Sequence, residues 1–184
     1  MTPARGCAPA EPFFLPVEGG QRFCLFHPAA GACRGAVLYV HPFAEEMNRS
    51  RRMAALQARE LAALGFAVLQ PDLHGCGDSS GESGDARWET WLADLAAASA
   101  WLRERTGAPL VLWGLRLGAL LALDYARQPG QAPAAVILWQ PVQDGRAFIN
   151  QFLRLRLAGD MLAGADSGGG TAALRASLAA GEVL

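Results

Sequence analysis

Lysine is absent from this chain: all sixteen basic residues are arginine. The absence excludes a lysine that forms a Schiff base with a carbonyl substrate and the lysine of a phosphate-binding P-loop. The formal net charge is −1, so the chain offers no broad basic surface for a nucleic acid or an anionic membrane. We therefore expect a small-molecule substrate or an anion as the partner and no nucleic acid.

Cysteine and long apolar runs are also scarce. The four cysteines contain no C-x-x-C pair, so we expect free thiols in a reducing compartment, with neither a zinc site nor a disulfide framework. No apolar run is long enough for a signal peptide or for a membrane span of about 20 residues. We expect a cytoplasmic protein without a membrane span, a metal or a cofactor.

Apolar runs alternate with amphipathic helical patterns along residues 13–141. A hairpin is predicted around residues 18–20, and four continuous apolar runs predict strands that are covered on both faces, as in a parallel sheet. Three patterns between the runs predict helices. The predicted strands are 13–17, 21–27, 35–42, 66–73, 109–114 and 134–141, and the predicted helices are 49–64, 86–106 and 116–128.

This alternation predicts one α/β domain over residues 1–184, with a doubly wound, mostly parallel sheet. Residues 1–12 are expected to form a flexible N-terminus, because prolines interrupt them. Residues 142–184 contain two amphipathic patterns and no further strand, so we expect a helical, lid-like C-terminal region.

Polar motifs follow the predicted parallel strands, at the edge of the sheet where ligands bind in this class of fold. Gly114 and Gly118 flank Arg116 between a strand and a helix, and small residues at that spacing allow a sharp turn. His41 ends another strand, in a loop that is either part of a site or an ordinary connection.

The stretch PDLHGCGDS (71–79) ends a third strand, and its usual role is to shape the wall of a site. Two alternatives remain open there. His41 and His74 could bind a metal together with carboxylates, or Cys76 could act as a nucleophile beside His74. The candidate carboxylates are Asp72, Glu45 and Asp78.

These motifs resemble the α/β-hydrolase superfamily. The stretches VLYVHPFAEEMNRSRRM, PDLHGCGDSSGE and WGLRLGALLALDYA are most similar to the type 2 hydrolases associated with the bacterial exosortase A (PEP-CTERM) system. The resemblance implies an α/β-hydrolase fold, a cytoplasmic hydrolase of an ester, thioester or similar acyl bond, and a link to exopolysaccharide export genes. It covers residues ~13–145, and the sheet is expected to lack the last strands of the full fold.

The resemblance also implies a catalytic triad and an oxyanion hole. The nucleophile position falls on Arg116, which cannot serve as a nucleophile, and Asp144 is the candidate acid. No histidine follows His74. The amides of Phe43 and Leu117 are the implied oxyanion donors, with His41 beside them. Either the chain is a fragment of a longer protein or it is a pseudoenzyme that binds an anion or a partner protein.

Arg116 allows three interpretations. It adds a cation to amides that already favour anions, or it pairs with a carboxylate, or it points into solvent. The candidate carboxylates are Asp72, Asp78, Glu45 and Glu46.

The strand 134–141 is uncharged and apolar, as if buried on both faces, yet no later strand is predicted to pair with it. We therefore expect an open sheet edge that associates with a second copy or with a partner protein.

Overall fold

The computed structural model of the chain describes residues 8–162 and 170–180. It divides into two compact units, Met1–Pro141 and Val142–Leu184. The N-terminal unit contains six strands and three α-helices. These are β1 Glu11–Val17, β2 Gly20–His27, β3 Gly35–Val40, α1 Glu45–Ala63, β4 Phe66–Pro71, α2 Trp88–Thr106, β5 Leu110–Leu115, α3 Leu117–Arg127 and β6 Ala135–Trp139.

The six strands form one sheet in the order β1-β2-β4-β3-β5-β6. Strands β4, β3, β5 and β6 run parallel, and the β1–β2 hairpin is antiparallel to its neighbours. The predicted parallel pairing of residues 35–42 with residues 109–114 is confirmed, with Val40 opposite Gly114.

Helices cover both faces of the sheet, which confirms the doubly wound prediction. Alternate residues of β3 point to opposite faces: Leu38 and Val40 pack in the core that includes residues of α2 and α3. Val37 and Tyr39 pack in the core that includes residues of α1. Continuous hydrophobicity in β3 therefore has the expected cause, which is burial from both sides.

Two helix ends lie where the sequence places them, and two helix starts do not. Helix α1 begins at Glu45 rather than at residue 49. Gly65 and Gly107, at φ 87° and 61°, follow α1 and α2, as glycine does after many helices. Helix α2 begins at Trp88 after Arg87 rather than at residue 86. Asp85, the residue that would cap a helix beginning at residue 86, lies instead in a 3₁₀ turn, Ser83–Asp85, where its amide donates to the Glu82 carbonyl.

Strand β6 lies at one edge of the described sheet and pairs with β5 alone among the described strands. The composition of this strand predicts burial on both faces. That prediction is wrong for the described chain, because Ile137 is 46 % and Leu138 is 40 % exposed. Its position at the edge of the described sheet agrees with the predicted open edge at residues 134–141.

The described part of the C-terminal unit contains two helices, α4 Gly145–Leu162 and α5 Gly170–Ala179, which contact each other. Its helical character agrees with the sequence, and a role as a lid stays a prediction. At the other end, β1 begins at Glu11, so residues 11 and 12 belong to the hairpin and not to the expected flexible N-terminus. Residues 1–7 lie outside the described part of the chain.

Candidate functional site

A strained, tightly packed turn connects β5 to α3. Arg116 stands at φ 56° and ψ −118°, a conformation that costs energy for any residue with a Cβ atom. A Cβ atom on Gly118 would collide with the carbonyl oxygens of Val40 and His41. One on Gly114 would lie 2.5 Å from the Cα of Ala119. The two glycines therefore allow the elbow to press against the end of β3, as predicted.

Arg116 pairs with a carboxylate, as one of the three interpretations of its role predicts. Its Nε lies 3.3 Å from Oε1 of Glu46, and each side chain is about a third exposed, 32 % and 39 %. An ion pair this exposed contributes only about 0–1 kcal/mol. The other oxygen, Oε2 of Glu46, is buried and accepts no hydrogen bond from the described residues. The pair is therefore weak enough for a ligand to compete with it.

The loop between β3 and α1 carries the second strained residue of the site. Ala44 has φ 49° and ψ −130°. It follows Phe43, whose carbonyl accepts the amide of Glu46. Leu117 is the first residue of α3, so its amide is one of those without an acceptor inside the helix. The role of Phe43 and Leu117 as anion donors stays a prediction.

His41 is committed to two backbone groups. Its Nδ1 lies 2.8 Å from the carbonyl oxygen of Pro42, and its Nε2 lies 3.2 Å from the amide of Leu73. These partners assign the proton to Nδ1, since a carbonyl accepts and an amide donates. Burial lowers the pKa of the imidazole, which is therefore neutral at pH 7. Both ring nitrogens of His41 thus have backbone partners, and the ring ties two loops together; its role in anion binding stays a prediction.

The backbone of His74 is fixed by α2. Its amide donates to Oδ2 of Asp94 at 2.7 Å, and its carbonyl accepts from Nε1 of Trp91 at 3.0 Å. Nδ1 of its ring is buried and makes no hydrogen bond with a described residue. The ring packs so closely over Gly81 that a Cβ atom there would strike it.

Cys76 lacks the features of an activated thiol. Burial above all, and then the charges of Asp72 and Asp94, raise its pKa to about 11. The thiol is therefore protonated at neutral pH, while nucleophilic chemistry needs the thiolate. This argues against Cys76 as the nucleophile beside His74.

The loop after β4 is a wall held by hydrogen bonds. Oδ2 of Asp72 accepts from Arg51 at 2.9 Å and from the amide of Asp78 at 3.2 Å. Ser79 donates to the carbonyl of Asp72 at 2.6 Å and accepts from the amide of Phe23 at 2.9 Å. Asp72 is thus occupied by Arg51 and not by Arg116. Within residues 8–162 and 170–180, no group of three His, Cys, Asp or Glu side chains is placed to hold a metal.

A buried ion pair behind this wall was missed from the sequence. Nε of Arg22 lies 2.7 Å from Oδ1 of Asp94, and both side chains are almost fully buried. Asp94 stands three residues after Trp91 and one before Leu95, on the core-facing side of α2. A carboxylate at an apolar helical position was the signal that could have identified it.

An apolar cavity lies beside the elbow. It is narrow: its volume of about 10 Å³ is roughly what one water molecule needs. Trp88 on its wall is fixed by a hydrogen bond of 2.7 Å from its Nε1 to Asp124. The lining residues include His41, Phe43, Cys76, Trp88, Leu117 and Leu121.

Asp144 belongs to the C-terminal unit, where it begins α4. Its Oδ1 accepts the amides of Arg146 at 2.8 Å and Ala147 at 3.3 Å, and its carbonyl accepts that of Phe148. This is the usual chemistry of an N-cap. A helix cap therefore accounts for this aspartate, and its role as a catalytic acid stays a prediction.

A strand-to-helix elbow at the end of a central parallel strand, on a sheet of this order, defines the α/β-hydrolase fold. Residues 31–175 match the family model described as serine aminopeptidase, S33. The chain belongs to this family of α/β-hydrolases.

Two named relatives match part of the chain at about 30 % identity. Protein ABHD12B of Homo sapiens is 29 % identical over 153 residues, which cover 70 % of this chain and 41 % of the relative. The lysophosphatidylserine lipase ABHD12 of Danio rerio is 30 % identical over 109 residues, which cover 57 % of this chain and 27 % of the relative. The chain thus spans less than half the length of these relatives.

Solved structures share the fold at low identity. A monoglyceride lipase variant of Saccharomyces cerevisiae, bound to a substrate analogue, superposes with a TM-score of 0.66 at 21 % identity. The match covers 82 % of this chain and 50 % of the lipase. Est1E of Butyrivibrio proteoclasticus, bound to ferulic acid, gives 0.63 at 20 % identity over 78 % of this chain and 56 % of its own. No helix in the described residues is both long and apolar enough to cross a membrane.

Proposed function

We propose that this protein binds an acyl compound with an anionic group at the elbow and performs no serine-dependent hydrolysis. One observation carries the proposal: Arg116 occupies the strained position of the elbow, where this class of enzyme presents its nucleophile. An arginine side chain cannot attack a carbonyl carbon as a serine hydroxyl does. Its planar guanidinium is instead suited to a carboxylate or a phosphate.

Electrostatics at the elbow support an anion as the ligand. Arg116 precedes α3, whose first amides are free of intrahelical acceptors and whose dipole favours negative charge. Glu46 pairs with Arg116 at 3.3 Å. A ligand carboxylate would take over or share this guanidinium, and the neighbouring apolar cavity would receive a small part of the acyl chain.

The more specific part of the proposal rests on resemblance. The three motifs that are most similar to the type 2 hydrolases of the exosortase A system support a bacterial, cytoplasmic protein linked to exopolysaccharide export. The name of the Danio rerio relative, a lysophosphatidylserine lipase, supports a ligand with an acyl ester and an anionic head group.

Hydrolysis of an ester or thioester is the second candidate. Membership of the hydrolase family and the retained glycines of the elbow favour it. A nucleophile other than residue 116 would then have to reach the substrate. A third role, as a partner protein of the export machinery, would use surfaces away from the elbow.

The anion-binding proposal is tested by titrating the purified protein with butyrate and with butyramide, its neutral counterpart, while amide resonances are followed. Butyrate is expected to bind more tightly. Arg116→Ala should weaken butyrate about tenfold or more, because a charge-assisted hydrogen bond contributes about 1.5–3 kcal/mol. Glu46→Gln should strengthen binding, since it removes the competing carboxylate.

Arg127→Ala is the matched control, because it removes an exposed arginine from the other end of α3. It should leave butyrate binding unchanged. Equal affinities for butyrate and butyramide, or an Arg116→Ala variant that binds like the parent protein, would contradict the proposal.

A further inference from the structure

Backbone strain is concentrated at one edge of the sheet. Among residues 8–162 and 170–180, three residues other than glycine have a positive φ: Ala44 at 49°, Arg116 at 56° and Gln140 at 43°. Each follows the carboxyl end of a strand, and the three strands, β3, β5 and β6, are neighbours in the sheet. Strained residues of this kind cluster at functional sites, and ligands of an open α/β sheet bind at this edge.

Turns into helices account for the strain at two of these residues. Ala44 and Arg116 immediately precede the first residues of α1 and α3. Gln140 precedes no helix, because α4 begins only at Gly145. The proline that follows it, Pro141, restricts its backbone further. A glycine would adopt the same φ without strain, so a glutamine at this position calls for a reason in its side chain.

Gln140 lies beside the elbow. The last pair in the ladder between β5 and β6 is Leu115 opposite Trp139, and the amide of Arg116 donates to the carbonyl of Trp139 at 3.1 Å. Arg116 and Gln140 are therefore the next residues on two neighbouring strands, which lie about 4.8 Å apart. Their side chains start from adjacent points of the same edge.

The side-chain amide of Gln140 is available to a ligand. Gln140 is exposed, and its side chain makes no hydrogen bond with another of the described residues. A glutamine amide offers two N–H donors, and a carboxylate has about four lone-pair sites, more than one guanidinium fills. Because the amide carries no charge, it adds a donor beside Arg116 without repelling an anion.

We propose that Gln140 is a further binding residue of the anion site, an inference that rests on the proposed function. Arg116 supplies the charge that attracts the carboxylate of the acyl ligand. The amide nitrogen of Gln140 donates to the carboxylate oxygen on the side of β6. The strained conformation is kept because a glycine at residue 140 would relieve the strain but would present no amide.

Titration with sodium butyrate, with amide resonances as the readout, tests this proposal. Gln140→Ala should bind butyrate roughly three- to tenfold more weakly than the parent protein, the effect of one hydrogen bond. Gln140→Glu should weaken binding further, because a carboxylate of nearly the same shape repels the anion.

Gln57→Ala is the matched control, because it removes an exposed glutamine from α1, about 16 Å along the helix from Glu46. It should leave butyrate binding unchanged. A parent protein that does not bind butyrate would overturn the proposed function and this inference together. Binding that Arg116→Ala weakens but Gln140→Ala does not would overturn the inference about Gln140 alone.

Thermal unfolding tests the strain independently of any ligand. At residue 140 the glycine variant should melt at a higher temperature than the alanine variant, because alanine keeps the strain of a positive φ. At residue 57, inside α1, the order should be reversed, since glycine is the poorer helix former. A Gln140→Ala variant as stable as Gln140→Gly would overturn the proposal, because no strain would then be kept for the amide.

Discussion

Arg116 and Glu46 both lie at helix N-termini, where the helix dipole disfavours the cation and favours the carboxylate. A cation before the first turn of α3 opposes the helix dipole, at a cost of about 0.3–1 kcal/mol, whereas Glu46 in the first turn of α1 is stabilised by its own helix. Their contact at 3.3 Å offsets the cost but leaves Oε2 of Glu46 buried without a donor among residues 8–162 and 170–180. The arrangement favours an additional group that satisfies the carboxylate or replaces it.

The neutral imidazole of His41 should make the stability of the fold depend on pH. Burial lowers its pKa below the ordinary value of 6.5, while Asp72 and Asp94 act to raise it and Arg51 to lower it. The unfolded chain therefore binds more protons than the folded one below about pH 6.5, so stability should fall as the pH falls through that region. His41→Gln, which keeps one donor and one acceptor, should reduce this dependence.

Thermal unfolding measured from pH 7.5 to pH 5 checks this expectation. His27, whose pKa burial also lowers, is present in both proteins, so the difference between them reports His41 alone. Equal losses of melting temperature on acidification in the parent and in His41→Gln would contradict the assignment.

The packing of the elbow between β5 and α3 depends on the absence of a Cβ atom at its glycines. Gly118 meets the carbonyls at the end of β3, so Gly118→Ala should destabilise the fold by about 1–3 kcal/mol, the usual cost of overpacking. Gly159→Ala is the control, because a Cβ atom there meets open space in α4. It should be neutral or stabilising by up to about 1 kcal/mol.

Denaturant unfolding of both variants measures these effects. If Gly118→Ala matched the parent protein in stability, the close approach of α3 to β3 would not constrain the turn.

The sequence allowed the strands and helices to be predicted because burial on both faces leaves continuous apolar runs, and glycines mark the helix ends. The start of α2 was misplaced, because a 3₁₀ turn ends at Asp85 and the helix begins at Trp88 without a side-chain cap. The sequence left four carboxylates as candidate partners of Arg116. It could not single out Glu46, because that choice depends on which side of α1 faces the elbow. The two backbone partners of His41 could not be read from the sequence, because the amide of Leu73 lies 32 residues away and the contact with the carbonyl of Pro42 depends on how the ring is turned.

On the scale of the whole molecule, β6 leaves an apolar strand edge in the described sheet, and such edges pair with other chains unless they are covered or charged. We predict that the purified 184-residue chain associates through β6. Ile137→Lys, in the middle of the strand, should shift the chain towards the monomer. Sedimentation velocity over a range of concentrations measures the association.

Leu155→Lys is the control, because it places the same charge at an exposed apolar residue of α4, in the C-terminal unit, and leaves β6 unchanged. It should leave the association unchanged. A parent chain that stays monomeric and unfolds cooperatively at high concentration would show that the edge of β6 does not mediate association.

Intact-protein mass after incubation with a fluorophosphonate tests whether the elbow carries an anion-binding arginine and no serine nucleophile. We expect no covalent adduct, because residue 116 is arginine and because Ser79 and Ser80 hold the loop against β2 through hydrogen bonds to the backbone of residues 23 and 21. A stoichiometric adduct on a serine would contradict it, and its loss in Ser79→Ala or Ser80→Ala would place the nucleophile in that loop.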